Sequence, residues 1–228
     1  MPQLTRGILI AIERIDESGK STLAQHVCAA LQQQYDTLLT KEPGASELGK
    51  EIRKIIQTQT LPLTQKAEYL LFAADRAQHF AELIISALEQ KKLIISDRMS
   101  DSSLAYQGYG NGLDLEMIHT INQWTMHTIV PDLTIFVRIS VEVALERAKN
   151  RGSLSAYEQR IGFLHRVADG FEKLYKNRND VIIVNGMESP EILTNHVCKV
   201  IKEWITTTFK LLPQHNCGLD NINKLLPT

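Results

Sequence analysis

Five short apolar runs punctuate the chain: Gly7 to Ile12, Thr37 to Thr40, Leu93 to Ser96, Leu133 to Ile139, and Val181 to Val184. They are rich in β-branched residues and nearly continuous rather than alternating, as strands buried on both faces of a parallel sheet are. Between them the apolar period lengthens to that of a helix. Leu23, Val27, Ala30 and Leu31 share one helical face after the first run. Leu70, Ala73, Ala77, Phe80, Ile84 and Leu88 share another before the third, which predicts a long helix with a core aromatic at Phe72 and a surface histidine at His79. A further amphipathic stretch covers about Met117 to Ile129. Pro190 to Phe209 reads as a long last helix, with its proline near the start, where a missing N–H costs nothing. Strands alternating with helices imply βαβ units and an open α/β sheet with right-handed crossovers. Ligands of such sheets bind at the carboxyl ends of the strands, which is where chemistry is to be sought.

The composition narrows the classes. A chain of 228 residues buries a core of useful size, as one large domain or two small ones. With 25 Lys plus Arg against 26 Asp plus Glu, it has no general basic excess for nucleic acid or an anionic membrane. No apolar run approaches the roughly 18 to 20 residues of a membrane helix, and Gly7 to Ile12 is too brief for a secretory signal. Cys28, Cys198 and Cys217 are odd in number and lack CxxC or CxxH spacing. That argues against a disulfide framework or zinc site and for the cytoplasm.

The first strand runs into Arg14-Ile15-Asp16-Glu17-Ser18-Gly19-Lys20-Ser21-Thr22 and then a helix. A strand, the second half of GxxxxGK[ST] and an amphipathic helix together form a phosphate-binding loop. In such a loop the backbone N–H groups of 16–22 and the positive helix end cradle the phosphates of a donor nucleotide. Lys20 reaches the β/γ-phosphates, and the Ser21 hydroxyl ligates Mg²⁺. The first glycine of the motif is replaced by Arg14. If the position needs positive φ, that costs on the order of 1 to 2 kcal/mol. The long side chain either crowds the loop's entry or adds a positive charge near the nucleotide.

Four further patches fall where a second nucleotide would sit: Lys41-Glu42-Pro43-Gly44, Phe72 to His79, Asp97-Arg98, and Ser102 to Gly108. As an ordered set with Ile12-Glu13 and Pro131-Asp132-Leu133-Thr134, these motifs resemble the thymidylate kinases of bacterial type, over about residues 7 to 209. The resemblance implies a three-layer P-loop kinase fold with a small lid at about residues 147 to 160, leaving residues 211 to 228 as a tail. It also implies an enzyme that moves the γ-phosphate of ATP, with Mg²⁺, onto dTMP to give dTDP, and a homodimer packed through helices. A related kinase for another pyrimidine monophosphate, or a nucleotide-binding protein of little activity, stands as the alternative.

The roles implied by that resemblance map onto the motifs in order. Arg98 and Arg76 hold the acceptor monophosphate and the thymine edge, with Glu42, Pro43 and Ser103 beside them. Phe72 stacks on the ring, Gln107 bonds its polar edge, and Tyr106 excludes a 2′-hydroxyl. Asp16 approaches the 3′-hydroxyl, and Asp97 helps to position Mg²⁺. Glu17 stands where some relatives carry a phosphate-loop arginine, so catalytic arginines must come from the lid, with Arg147 and Arg151 as candidates. Ser155 and Ala156 replace an expected Asp-Arg, Met99 an aromatic residue, and Arg138 an aspartate. These departures predict an altered, slower active site with a nearly complete acceptor pocket.

Overall fold

A computed structural model describes residues 4–15, 22–58, 61–149 and 157–211. Its centre is one all-parallel sheet of β1 (Ile8–Arg14), β2 (Thr37–Lys41), β3 (Leu93–Asp97), β4 (Leu133–Arg138) and β5 (Val181–Asn185), in the order β2-β3-β1-β4-β5. All five apolar runs form strands, and helices fill the connections. These are α1 (Thr22–Leu31), α2 (Glu47–Thr58), α3 (Gln65–His79), α4 (Ile85–Glu89), α5 (Ser100–Ser103), α6 (Leu115–Thr125), α7 (Val141–Lys149), α8 (Tyr157–Tyr175) and α9 (Pro190–Leu211). None among the described residues is long and apolar enough to cross a membrane.

The continuous apolar run of β1 is explained by burial on both faces. Ile8, Ile10 and Ile12 pack with Val27 and Leu31 of α1 and Val197 and Ile201 of α9. Leu9 and Ala11 turn to the opposite face, against Phe80, Ile84 and Ala87. Each fully buried aliphatic side chain stabilises the fold by roughly 1.5 to 3 kcal/mol. The strand runs two residues beyond its apolar run, and the period of two aims Glu13 and Arg14 at opposite faces. Arg14 thus lies on the face of Ile12, where Asp97, the register partner of Ile12 on β3, also lies.

The expected helix before the third strand is one helical column, but its middle is a π-helical turn, Phe80–Ile84, between α3 and α4. A second such turn, Leu104–Gly110, comes after α5 and carries Tyr106 and Gln107. Each adds a residue to the turn and shifts the face presented by the next residues of the column, a device common at functional sites. Thr64 caps α3 by accepting from the Ala67 N–H at 3.2 Å, and Asp114 caps α6 through the Met117 N–H at 2.7 Å. Where α2 meets α3, a Cβ on Gly49 would lie 2.1 Å from Asp75 Oδ1. Only glycine permits that approach, and it leaves the Asp75 carboxylate free to take the Gly44 N–H at 2.9 Å. The loop after β2 is fastened to α3 by that bond.

Candidate active site

The carboxyl ends of β1, β2 and β3 carry buried charge. Arg14 is only 6% exposed, and its guanidinium lies 2.8 Å from the Asp97 carboxylate. Asp97 Oδ1 and Arg14 Nη1 both lack a hydrogen-bond partner, so this is a charge contact rather than a directed bond. Arg14 is a strand residue and is absent from the positive-φ residues, so the anticipated glycine penalty does not arise. Its side chain has turned to β3, and neither of the two outcomes expected for it needs strained backbone. Asp16, Glu17, Ser18, Gly19, Lys20 and Ser21 lie outside the described residues, and Thr22 opens α1.

Strain falls one strand away, at Arg98, whose φ of 72° is a left-handed conformation costing on the order of 1 to 3 kcal/mol. Several contacts fix it there. Nη1 donates to the Arg14 carbonyl at 2.9 Å and to Ser102 Oγ at 3.1 Å, while the guanidinium lies over the Tyr106 ring, 5.2 Å from its centre. Ser102 Oγ in turn donates to Glu13 Oε2 at 2.5 Å, and the Met99 N–H donates to Glu13 Oε1 at 2.8 Å. Glu13 therefore holds the segment that follows Arg98 at two points. Burial, then the nearby Asp101 carboxylate, push its carboxyl up to about 8, against the lowering effect of the Ser102 bond. Met99 itself is a core side chain in the cluster of Leu9, Phe80 and Ile94, and only its backbone serves the site. Among the described residues this network extends through Asp101, which Arg178 ties to Asp180 by bonds of 2.7 and 2.5 Å.

A second buried group lies after β2, around Glu42. Arg76 is 2% exposed and each of its nitrogens donates: Nε to Glu42 at 2.9 Å, Nη1 to Asn122 at 2.7 Å and Nη2 to Ser103 at 2.9 Å. His79 is fully buried, joined to Glu42 Oε1 at 3.0 Å and to Thr40 Oγ at 2.6 Å. Burial pushes the Glu42 carboxyl up, but Arg76 and His79 outweigh it and hold the group below the ordinary range. Two expectations are corrected by this frame. His79 is no surface histidine, because Thr40 and Glu42 satisfy both ring nitrogens, and Phe72 is half-buried rather than core. Arg76, expected at a ligand, spends its directed bonds on the frame, with Asn122 further held by the Tyr69 hydroxyl and the Ser100 carbonyl. Pro43 comes after a cis peptide, its carbonyl taking Arg53 Nη1 at 3.0 Å.

Of the other expected acceptor residues, Phe72 is half-buried on α3, and Tyr106 and Gln107 lie on the π-helical turn after α5. Tyr106 packs edge-on against Phe163 and Phe171 of α8, and Gln107 Nε2 donates to Glu68 Oε1 at 3.2 Å. Arg147 at the end of α7 donates to the Gly186 carbonyl at 3.2 Å, while Arg151, Ser155 and Ala156 lie outside the described residues. Arg138 is bidentate to Glu172, at 2.7 and 2.6 Å, an exposed pair on the rim. A nucleotide-borne Mg²⁺ needs only one or two protein oxygens. Asp97 is a carboxylate of the right chemistry for that need, but its buried Oδ1 is taken by the Arg14 guanidinium.

Sequence reasoning passed over Glu13, Asp75 and Asn122. The signal for Glu13 was a carboxylate closing an otherwise apolar strand, and for Asn122 a polar residue on the apolar face of an amphipathic helix. One consequence of Glu13 is directly measurable. Between 4.5 and about 8 the unfolded chain releases a proton that folded Glu13 keeps, so this group lowers stability as pH rises through that window. Denaturant melts of wild type and Glu13→Gln should therefore diverge in the variant's favour from about pH 5 to pH 8 and run parallel above. A constant difference across that range would mean that Glu13 is ionised throughout.

Comparison with known proteins agrees with this geometry. A family model described as Thymidylate kinase matches residues 12–197. Thymidylate kinase from Halothermothrix orenii is 41% identical over 184 residues, 78% of this chain and 88% of that protein. A probable thymidylate kinase from Pyrococcus horikoshii is 38% identical over 202 residues, covering 86% of this chain and 97% of that protein. A crystal structure of thymidylate kinase from Ehrlichia chaffeensis superposes with a TM-score of 0.70 at 30% identity, over 86% of this chain and 98% of that one. With the buried frame at the ends of β1 to β3 and a family match over most of its length, the chain belongs to the thymidylate kinase family.

Proposed function

We infer that the chain works as its family does, moving the γ-phosphate of ATP onto dTMP to give dTDP. The observation that carries this reading is Arg98, a strained arginine at the end of β3 whose guanidinium is pinned between the Arg14 carbonyl, Ser102 and Tyr106. An arginine held so rigidly is pre-organised to fork onto the oxygens of a monophosphate. Phe72 and Gln107 flank the place of a base, and Tyr106 that of a deoxyribose. Arg76 serves the acceptor through the frame it builds with Glu42, Ser103 and Asn122.

The acceptor phosphate has a second pKa near 6 and needs no general base. Catalysis is then positioning and charge neutralisation, with Lys20 on the donor phosphates and Arg147 and Arg151 closing from a lid at residues 147 to 160. Mg²⁺ arriving with ATP would be held by Ser21 and Asp97 and would neutralise the donor's β- and γ-oxygens. Arg14 opposes that last role by occupying Asp97. This favours a slow enzyme over an inactive one, since the frame for the acceptor is intact.

Two measurements test these readings. ADP release with dTMP, dUMP, dCMP and AMP should show turnover on dTMP, and Arg14→Gly should raise kcat and lower the Mg²⁺ needed for half-maximal rate. No turnover with any acceptor would refute the kinase reading, and a slower Arg14→Gly would mean that Arg14 takes part in the chemistry. We further infer a homodimer. Supporting it, α3 packs against both α2 and α6, and these helices leave Leu48, Leu70, Met117 and Trp124 exposed, Trp124 by 79%. Light scattering should give a dimer mass that Trp124→Asp lowers; a monomeric wild type would exclude the assembly.

A further inference from the structure

The carboxamide of Gln107 is held one way round. Nε2 donates to Glu68 Oε1, and an ionised carboxylate only accepts, so turning the amide over would set oxygen against oxygen. Gln107 as a residue is 5% exposed. Among the described residues nothing donates to its Oε1, yet this oxygen is absent from the buried atoms that lack a partner, so it keeps some exposure. The backbone at Gln107 is itself tied down. The Gln107 carbonyl takes the Leu113 N–H at 3.0 Å, and a Cβ on the next residue, Gly108, would lie 2.4 Å from Leu115. Rotation of the side chain is the remaining freedom, and Glu68 removes it. Glu68 also stands one turn before Phe72 and two before Arg76 on α3, on the same helical face.

We propose that Glu68 sets the choice of pyrimidine, as a positioning residue acting through Gln107. By fixing Nε2, it makes Gln107 show an acceptor to the base. Thymine and uracil carry N3–H and donate to that oxygen, whereas cytosine carries a bare N3 that meets it acceptor to acceptor. The second N–H of Nε2 remains for a ring carbonyl. The proposal rests on the reading that Gln107 lies against the base.

The test measures kcat/KM for dTMP, dUMP and dCMP in wild type, Glu68→Gln and Gln107→Ala, with the three dissociation constants by calorimetry. Glutamine at position 68 both donates and accepts, so the Gln107 amide is free to turn. The dTMP-over-dCMP ratio should then fall by about 10- to 100-fold, the range of one base-edge hydrogen-bond pair. Activity on dUMP should track dTMP downward while that on dCMP rises. If all three acceptors fall together and the ratio holds, Glu68 merely supports the fold and the proposal is overturned. Gln107→Ala separates this from failure of the underlying reading. A large loss on dTMP there, beside an unchanged ratio in Glu68→Gln, overturns the proposal alone. An unchanged dTMP kcat/KM in Gln107→Ala takes Gln107 out of the pocket and overturns both. The calorimetric ratio decides the same question should a variant turn over too slowly to assay.

Discussion

A carboxylate taken out of water must be paired, hydrogen-bonded or protonated, and three of them close the strands of this sheet. Each is answered differently. Glu42, after β2, is answered by charge, from Arg76 and His79. Asp97, ending β3, is answered by Arg14 at the same level of β1. Glu13, beside Arg14, has no cation in hydrogen-bond reach among the described residues and is answered by a raised affinity for its proton, with Met99 and Ser102 donating to it. The side chains that satisfy these groups form a hydrogen-bonded frame at the carboxyl ends of the strands.

The path from Glu13 to Arg98 shows how such a frame performs work. Ser102 stands between them, donating to the carboxyl and accepting from the guanidinium. The left-handed backbone at Arg98 is unfavourable alone and is maintained because the Arg98 N–H is anchored to the Ile12 carbonyl and the next N–H, of Met99, to Glu13. On the other side of the cleft, Asp75 does the corresponding service for the loop after β2. Burial pushes its carboxyl up to about 6 while the Gly44 N–H pulls it down, and the absence of a side chain on Gly49 makes room for it.

The strands were legible because burial on both faces leaves an unbroken β-branched run, and the parallel α/β architecture, though not the strand order, came from their alternation with helices. The limits of that reading are physical. The apolar period could show that residues 70 to 88 form a helical column but not its π-helical turn, which leaves the sequence pattern almost unaltered. His79 read as a surface residue because its partners, Thr40 and Glu42, are 39 and 37 residues away. Arg14 read as a loop residue because the motif puts a glycine there, whereas here the strand continues to include it. The departures at Met99 and Arg138 proved to be absorbed, one into the core and the other by Glu172. Among the described residues, the departure at Arg14 is the one that touches a charged group at the strand ends, Asp97.

The account stands or falls on whether the buried charges act as one unit. The direct measurement is a double-mutant cycle of Glu42→Gln and Arg76→Met, read by denaturant unfolding. Each single variant strands a buried partner and should cost about 3 to 5 kcal/mol, while the double variant should be no less stable than the worse single. Losses that simply add, to within about 0.5 kcal/mol, would show that Glu42 and Arg76 contribute separately and that no shared frame holds the acceptor site.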